Sequence, residues 1–103
     1  IYPGAPSLGR DALLAQLHAP LDLTRSTAFW VAAGVADKEL EPALISGLRD
    51  PLADVRMAAA WGLGNLRDPQ AAAALSAALE DPNDEVGRFA RQALDRVDAR
   101  KKE

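Results

Sequence analysis

The 103-residue chain contains no cysteine and a single histidine, His18. Disulfides and thiolate chemistry are thereby excluded, and the Cys- and His-rich ligand sets typical of zinc sites cannot be assembled. Aromatic residues make up only 5% of the chain, while 49% is hydrophobic and much of that is alanine. The expected core is therefore aliphatic and thin, built from a residue that favours helix. No apolar run approaches the ~20 residues of a membrane-spanning helix, so a membrane partner is not expected. An excess of charge of one sign is also lacking: the net charge is only −3 at pH 7, from 12 basic and 15 acidic residues. Residues 1–36 and 81–103 are each balanced, and residues 37–80 carry the whole deficit. A phosphate backbone needs a basic stripe, and none is present, so nucleic acid is not an expected partner. The cluster Arg96, Arg100, Lys101 and Lys102 reads instead as favourable charge at a helix C-terminus.

The signatures of catalysis are missing as well. Ser7, Ser26, Ser46 and Ser76 have one histidine to share as a base. There is no Gly-x-Ser-x-Gly and no phosphate-binding loop. Gly62-Leu63-Gly64 reads as a helix interior, not a dinucleotide turn. Asp50, Asp54, Asp81, Asp84 and Glu85 fall at helix N-termini, where negative charge is stabilising without any catalytic role. His18 reads as an exposed helix end rather than a ligand. The chain is not expected to be an enzyme, and no cofactor or metal is expected.

What is present is a repeat. Asp50-Pro51-Leu52-Ala53-Asp54-Val55-Arg56 returns as Asp81-Pro82-Asn83-Asp84-Glu85-Val86-Gly87, an offset of 31 residues. The same step backwards places Pro20, Arg25, Ala28 and Trp30 under Pro51, Arg56, Ala59 and Trp61. A fixed period of this size is the mark of one supersecondary unit stacked on copies of itself. Two helix types alternate. The A type is predicted near residues 22–36, 52–67 and 83–99. Its apolar stripe is Val55, Ala59, Gly62, Leu63 and Leu66, repeated as Val86, Ala90, Ala93, Leu94 and Val97, with a weaker copy in Thr24, Ala28, Val31, Ala32 and Val35. The B type is predicted near 8–18, 39–49 and 70–80, carrying the pairs Leu13/Leu17, Leu44/Leu48 and Leu75/Leu79. Asp37 and Asp68 are plausible N-caps, with Pro69 at a first helical position and Ser7 a candidate cap for the first B helix. Asp-Pro at 50–51 and 81–82 stops the B helices.

The segment from Asp50 to Leu79 resembles a HEAT-like repeat of the phycobilisome-lyase type. Asp50, Val55, Arg56, Ala58, Ala59, Leu63, Gly64, Leu66, Asp68, Pro69, Leu75 and Leu79 match that pattern, while Gly62 stands where alanine is usual. The next unit keeps Val86, Ala90, Ala93 and Leu94, with Gly87 in place of the arginine. The resemblance covers about residues 8–98. It implies an all-α, right-handed α-α superhelix of about six helices, and the start at Ile1 is expected to reflect a fragment of a longer array. The expected organisation is an extended lead-in over 1–7, a repeat domain over 8–98 and a frayed tail over 99–103. Within the domain lie an orphan B helix at 8–18, full repeats at 20–49 and 51–80, and a terminal A helix at 82–98. Proteins of this kind occur as bilin lyases, adaptor domains and free scaffolds.

Three surfaces are candidates for function. The outward residues of the B helices, Leu14, His18, Pro42, Ile45, Arg49, Ser76 and Glu80, form a ridge that in HEAT-like solenoids lines the concave face. Leu14 and Ile45 are expected there as an exposed apolar pair. Trp30, Trp61 and Met57 fall on the convex side, either packed in grooves between A helices or presented as an apolar patch. Gly64 is expected to share that outward side. Arg25 and Arg56 sit near A-helix N-termini, where the dipole disfavours a cation, so a structural ladder to acids of the next inter-repeat loop is expected, with Asp81 or Glu85 for Arg56. The expected function is non-catalytic protein–protein interaction. The alternatives are a structural C-terminal cap of a larger repeat protein, and an accessory domain of a bilin-lyase-like or other enzyme. The partner is a protein, and an exposed first helix leaves self-association open.

Overall fold

The 31-residue period is divided between two helices of unequal length. The computed structural model describes residues 5–101 and contains no strand among them. The longer, A-type helices are α2 (Asp22–Val35), α4 (Ala53–Leu66) and α6 (Asp84–Lys101); the others are α1 (Ala5–Leu17), α3 (Glu41–Gly47) and α5 (Ala72–Ala78). A 3-10 turn, Lys38–Leu40 or Pro69–Ala71, leads into α3 and α5. The starts of α2, α4 and α6, and those of α3 and α5, keep the sequence period.

Local chemistry sets the boundaries. Asp37 and Asp68 are extended, and their carboxylates accept the N–H groups of Glu39 at 2.9 Å and Gln70 at 3.0 Å. These caps satisfy donors that the first turn leaves without partners. Ser7 lies inside α1 and not ahead of it. α1 begins at Ala5, so residues 5–7 of the lead-in expected over 1–7 are helical. Pro6 fits there, since a first-turn N–H has no intrahelical acceptor to lose. Residues 1–4 lie outside the described residues. At the other end α6 runs on to Lys101, past the expected end of the terminal helix. The left-handed residues that close α2 and α4 are Ala36 (φ 56°) and Arg67 (φ 53°).

The helices form two layers. α4 lies between α2 and α6, and α1, α3 and α5 pack chiefly on α2, α4 and α6 respectively. Thus α1, expected as an orphan, is seated on the A helix that follows it. The Cα envelope is 42 × 34 × 15 Å, broad and thin. Leu17, Leu40, Leu44, Val55, Leu63, Leu75, Val86 and Val97 are fully buried between the layers.

Close approach within the A layer depends on two glycines. A Cβ on Gly62 would come within 2.9 Å of the Ala33 Cα, and one on Gly64 within 2.9 Å of the Ala93 Cα. Both obstacles are backbone, so the helices themselves would have to part. Gly64 therefore does not face outward with Trp61; α6 covers it. The A stripe is buried in α4 and α6 apart from half-buried Leu66, but in α2 Val31 and Val35 are 50% and 55% exposed. They lie on the side of α2 away from α4, where no described helix covers them.

Candidate functional site

The B-helix face is furrowed. One groove, of about 530 Å³, runs between α1 and α3 and is lined by Leu17, His18, Ala43, Ser46 and Gly47, with Phe29 of α2 beneath. A second, of about 240 Å³, runs between α3 and α5, lined by Ile45, Leu48, Arg49, Ala74, Ala77 and Ala78. The structure thus brings His18 to the first groove, and Ile45 and Arg49 to the second. His18, Pro42, Arg49, Ser76 and Glu80 are exposed. Leu14 and Ile45, expected as an exposed apolar pair, are half-buried and packed on the core. The ridge therefore exposes mainly polar and charged side chains, together with Pro42, above grooves whose linings mix apolar residues with charged ones.

On the A-helix face the two tryptophans meet. Their ring centroids are 5.8 Å apart with planes tilted by 46°. Phe89 of α6 adds an edge-on contact to Trp30 at 6.1 Å. Rings at these separations attract through their quadrupoles as well as through burial. Trp30 Nε1 donates to Asp54 Oδ2 at 3.2 Å, and the Ser26 hydroxyl donates to the same oxygen. Both tryptophans and Met57 are half-buried. The cluster links all three A helices, which is more than the sequence had indicated. Phe89 was missed because its counterparts one and two periods earlier are Ala58 and Thr27, so no repetition marks it.

The arginines form clamps. Arg25 Nε donates to Asp50 Oδ2 at 2.6 Å and its Nη2 to Asp50 Oδ1 at 3.0 Å, while Nη1 reaches the Ala19 carbonyl at 3.0 Å. Arg56 makes the same fork on Asp81, at 2.8 and 3.2 Å, and its Nη1 reaches the carbonyls of Asp50 and Pro51 at 2.8 and 3.0 Å. Each aspartate ends a B helix and also accepts the N–H two residues on, from Leu52 or Asn83, at 2.9 Å. One planar guanidinium thus joins the start of an A helix to the loops on either side. Burial pushes the Asp50 carboxyl up, but the Arg25 fork and the Leu52 N–H together hold it below the usual range. The hydrogen bond to Asp50 in turn raises Arg25.

A smaller clamp escaped the sequence reading. Arg10 Nε donates to Asp37 Oδ2 at 2.7 Å, which ties α1 to the cap ahead of α3. That contact lowers Asp37 and raises Arg10. Asn65 spans the A layer too, donating to the Ala33 carbonyl at 2.8 Å and accepting from Arg96 Nη1. Single polar or charged groups 27 to 32 residues apart carry no local signal, and only the register of the repeat could have paired them.

Among the described residues, no group of three or more His, Asp or Glu side chains is arranged to hold a metal ion. No described helix is long and apolar enough to cross a membrane. The surfaces offer grooves and a scaffold of clamps, which suit recognition by shape. Among curated proteins, nothing matches the chain. A family model of HEAT repeats does match, over residues 10–95. That span takes in most of α1 and α6 and everything between them, both forked clamps included, and the chain belongs to the HEAT repeat family.

Proposed function

We propose that this chain is a non-catalytic scaffold that binds a protein partner across its B-helix face. HEAT repeats generally mediate protein–protein interaction. The observation that supports this face is its pair of neighbouring grooves, in which apolar walls alternate with charged side chains, Arg25 and Asp50 in the first and Arg49 and Asp81 in the second, with exposed His18 at the rim of the first. A crest held by clamped loops loses little conformational entropy on binding, and that lowers the cost of association. Exposed Ser76 and Glu80 supply a polar rim of the kind that surrounds the centre of ordinary interfaces, and exposed Pro42 adds a rigid apolar contact.

The test is a pull-down with the chain as bait, beside an Arg49→Glu, Ser76→Arg, Glu80→Lys variant. These positions are exposed, so the variant keeps its fold, which circular dichroism verifies. Leu14 and Ile45 are left alone because both support the core. A protein retained by the parent chain and lost by the variant supports the reading. Equal retention moves the interface to another face, with Trp30 and Trp61 next to be changed.

A capping role is the second reading, and the contrast between the two ends of the A layer favours it. The exposed residues of α6, from Asp84 to Asp98, are all polar, whereas exposed Leu21, Leu23, Val31 and Val35 are gathered on and beside α2. A polar outer face is what the last unit of a stacked array requires. Capping and binding use different faces and can coexist.

A further inference from the structure

Two carboxylic acids face each other inside this fold. Glu41, at the start of α3, is 6% exposed, and Asp68, which caps the turn ahead of α5, is 7% exposed. Glu41 Oε2 is fully buried without a hydrogen-bond partner, and Asp68 Oδ2, equally buried, makes no well-formed hydrogen bond and has only the Lys38 ammonium, 3.3 Å away, beside it. An orphaned buried acceptor is costly, and two facing acceptors with like charge are costlier still. A single proton between them satisfies both.

The repeat shows how unusual this is. One period earlier, Arg10 occupies the place of Glu41 and Asp37 the place of Asp68, and those two form the ion pair at 2.7 Å. The same junction thus holds a cation and an anion in one repeat and two acids in the next. Asp68 has other reasons to remain ionised: it accepts the Gln70 N–H at 3.0 Å, and Lys38 Nζ lies 3.3 Å from its Oδ2. Lys38 is itself largely exposed, so water screens its charge. Charged side chains also stand on the elements packed around the pair: Asp37 and Glu39 beside Lys38; Asp54, Arg56 and Arg67 on or at the end of α4, Arg67 Nε reaching the Arg96 carbonyl at 3.4 Å; and Arg88, Arg91, Asp95, Arg96 and Asp98 on α6.

We propose that Glu41 and Asp68 share a proton carried by Glu41, and that this carboxyl–carboxylate pair makes the junction between α3 and α5 stronger at mildly acidic pH than at neutral pH. Burial, followed by the neighbouring Asp68, pushes the Glu41 carboxyl up, while the Gln70 N–H is the main cause that lowers Asp68. A carboxyl raised in the folded state adds stability that is complete below its unfolded value. That stability is lost as pH rises through the folded value. The window therefore opens above the ordinary glutamate value of about 4.3. Each unit of elevation is worth up to a tenfold gain in the ratio of folded to unfolded chain.

The experiment is urea denaturation from about pH 5 to about pH 7.5, bracketing that window, in a His18→Gln background that removes histidine titration. The parent chain is expected to lose stability as pH rises. Glu41→Gln, which donates without carrying charge, is expected to be flat over the interval and more stable than the parent at its upper end. Glu41→Arg, which copies the Arg10 junction, is expected to be flat as well. Carbon-13 NMR of the Glu41 carboxyl is expected to show a midpoint above that of an ordinary glutamate. A flat parent profile, an unchanged slope in Glu41→Gln, or an ordinary Glu41 midpoint would each overturn the proposal.

Discussion

At the guanidinium of Arg56 a carboxylate and two loop carbonyls converge, and most of the group is shielded from water. Arg56→Ala would leave Asp81, whose side chain is 8% exposed, with a buried charge supported by one backbone N–H. Charge-assisted hydrogen bonds of this kind contribute about 1.5–3 kcal/mol, so a loss of about 2 kcal/mol is expected in urea denaturation. Arg56→Lys keeps the charge but cannot make the fork, and is expected to recover less than half of that loss. The left-handed residues predict the opposite sign. Ala36 holds φ at 56° at the end of α2, a conformation that costs a residue with a Cβ roughly 1–2 kcal/mol. Glycine removes that strain but gives the unfolded chain more freedom. Ala36→Gly is therefore expected to stabilise by a net of about 0.5–1 kcal/mol, read as a rise in Tm.

Among the helices, two effects compete at each glycine, and magnitude decides between them. Alanine in place of glycine gains about 1 kcal/mol of helix propensity, while forcing a methyl into a packed contact costs about 1–3 kcal/mol. Gly34 has nothing within 4 Å of its missing Cβ, whereas Gly62 and Gly64 meet backbone at 2.9 Å. Gly34→Ala is thus expected to raise stability by about 0.5–1 kcal/mol, and Gly62→Ala and Gly64→Ala to lower it by about 1–2 kcal/mol. Equal effects at all three positions would show that the A helices do not touch as closely as the geometry states. This is also the scale at which the sequence was most legible. The period, the caps at Asp37 and Asp68, and the alternation of long and short helices are local features, because hydrogen-bonding side chains and prolines act within a few residues. The side-chain contacts between helices were not legible. Phe89 on Trp30, Asn65 between α2 and α6, and Glu41 against Asp68 depend on which faces meet. Val31 and Val35 have the spacing of core residues, yet spacing does not tell whether a neighbouring helix covers them.

Across the whole molecule, acid acts on the clamps in the direction opposite to Glu41. Asp37, Asp50 and Asp68 are held below the usual carboxylate range. A lowered carboxyl gives stability that is present above its unfolded value, about 3.9, and is lost as pH falls through the folded value. The chain is therefore expected to unfold sharply only below about pH 4, and Asp50→Asn is expected to weaken that acid dependence in a circular dichroism titration. The two ends of the A layer carry a further consequence. The α2 end exposes Leu21, Leu23, Val31 and Val35, with Leu23 81% exposed, and the apolar hollow against α1 is lined by Leu13, Val31, Val35 and Leu40. The exposed residues of α6 from Asp84 to Asp98 are polar, so head-to-tail stacking would set an apolar face on a charged one. Two copies meeting through α2 would instead bury like against like in an isologous contact. We accordingly predict concentration-dependent dimerisation of this chain in sedimentation equilibrium. Leu23→Glu with Val31→Glu is expected to weaken it by at least about tenfold in Kd, a change of about 1.4 kcal/mol. Both positions are exposed, so the double variant leaves the helical content unchanged. A monomer at all concentrations, or a dimer indifferent to both changes, would show that the apolar end of α2 does not pair with itself.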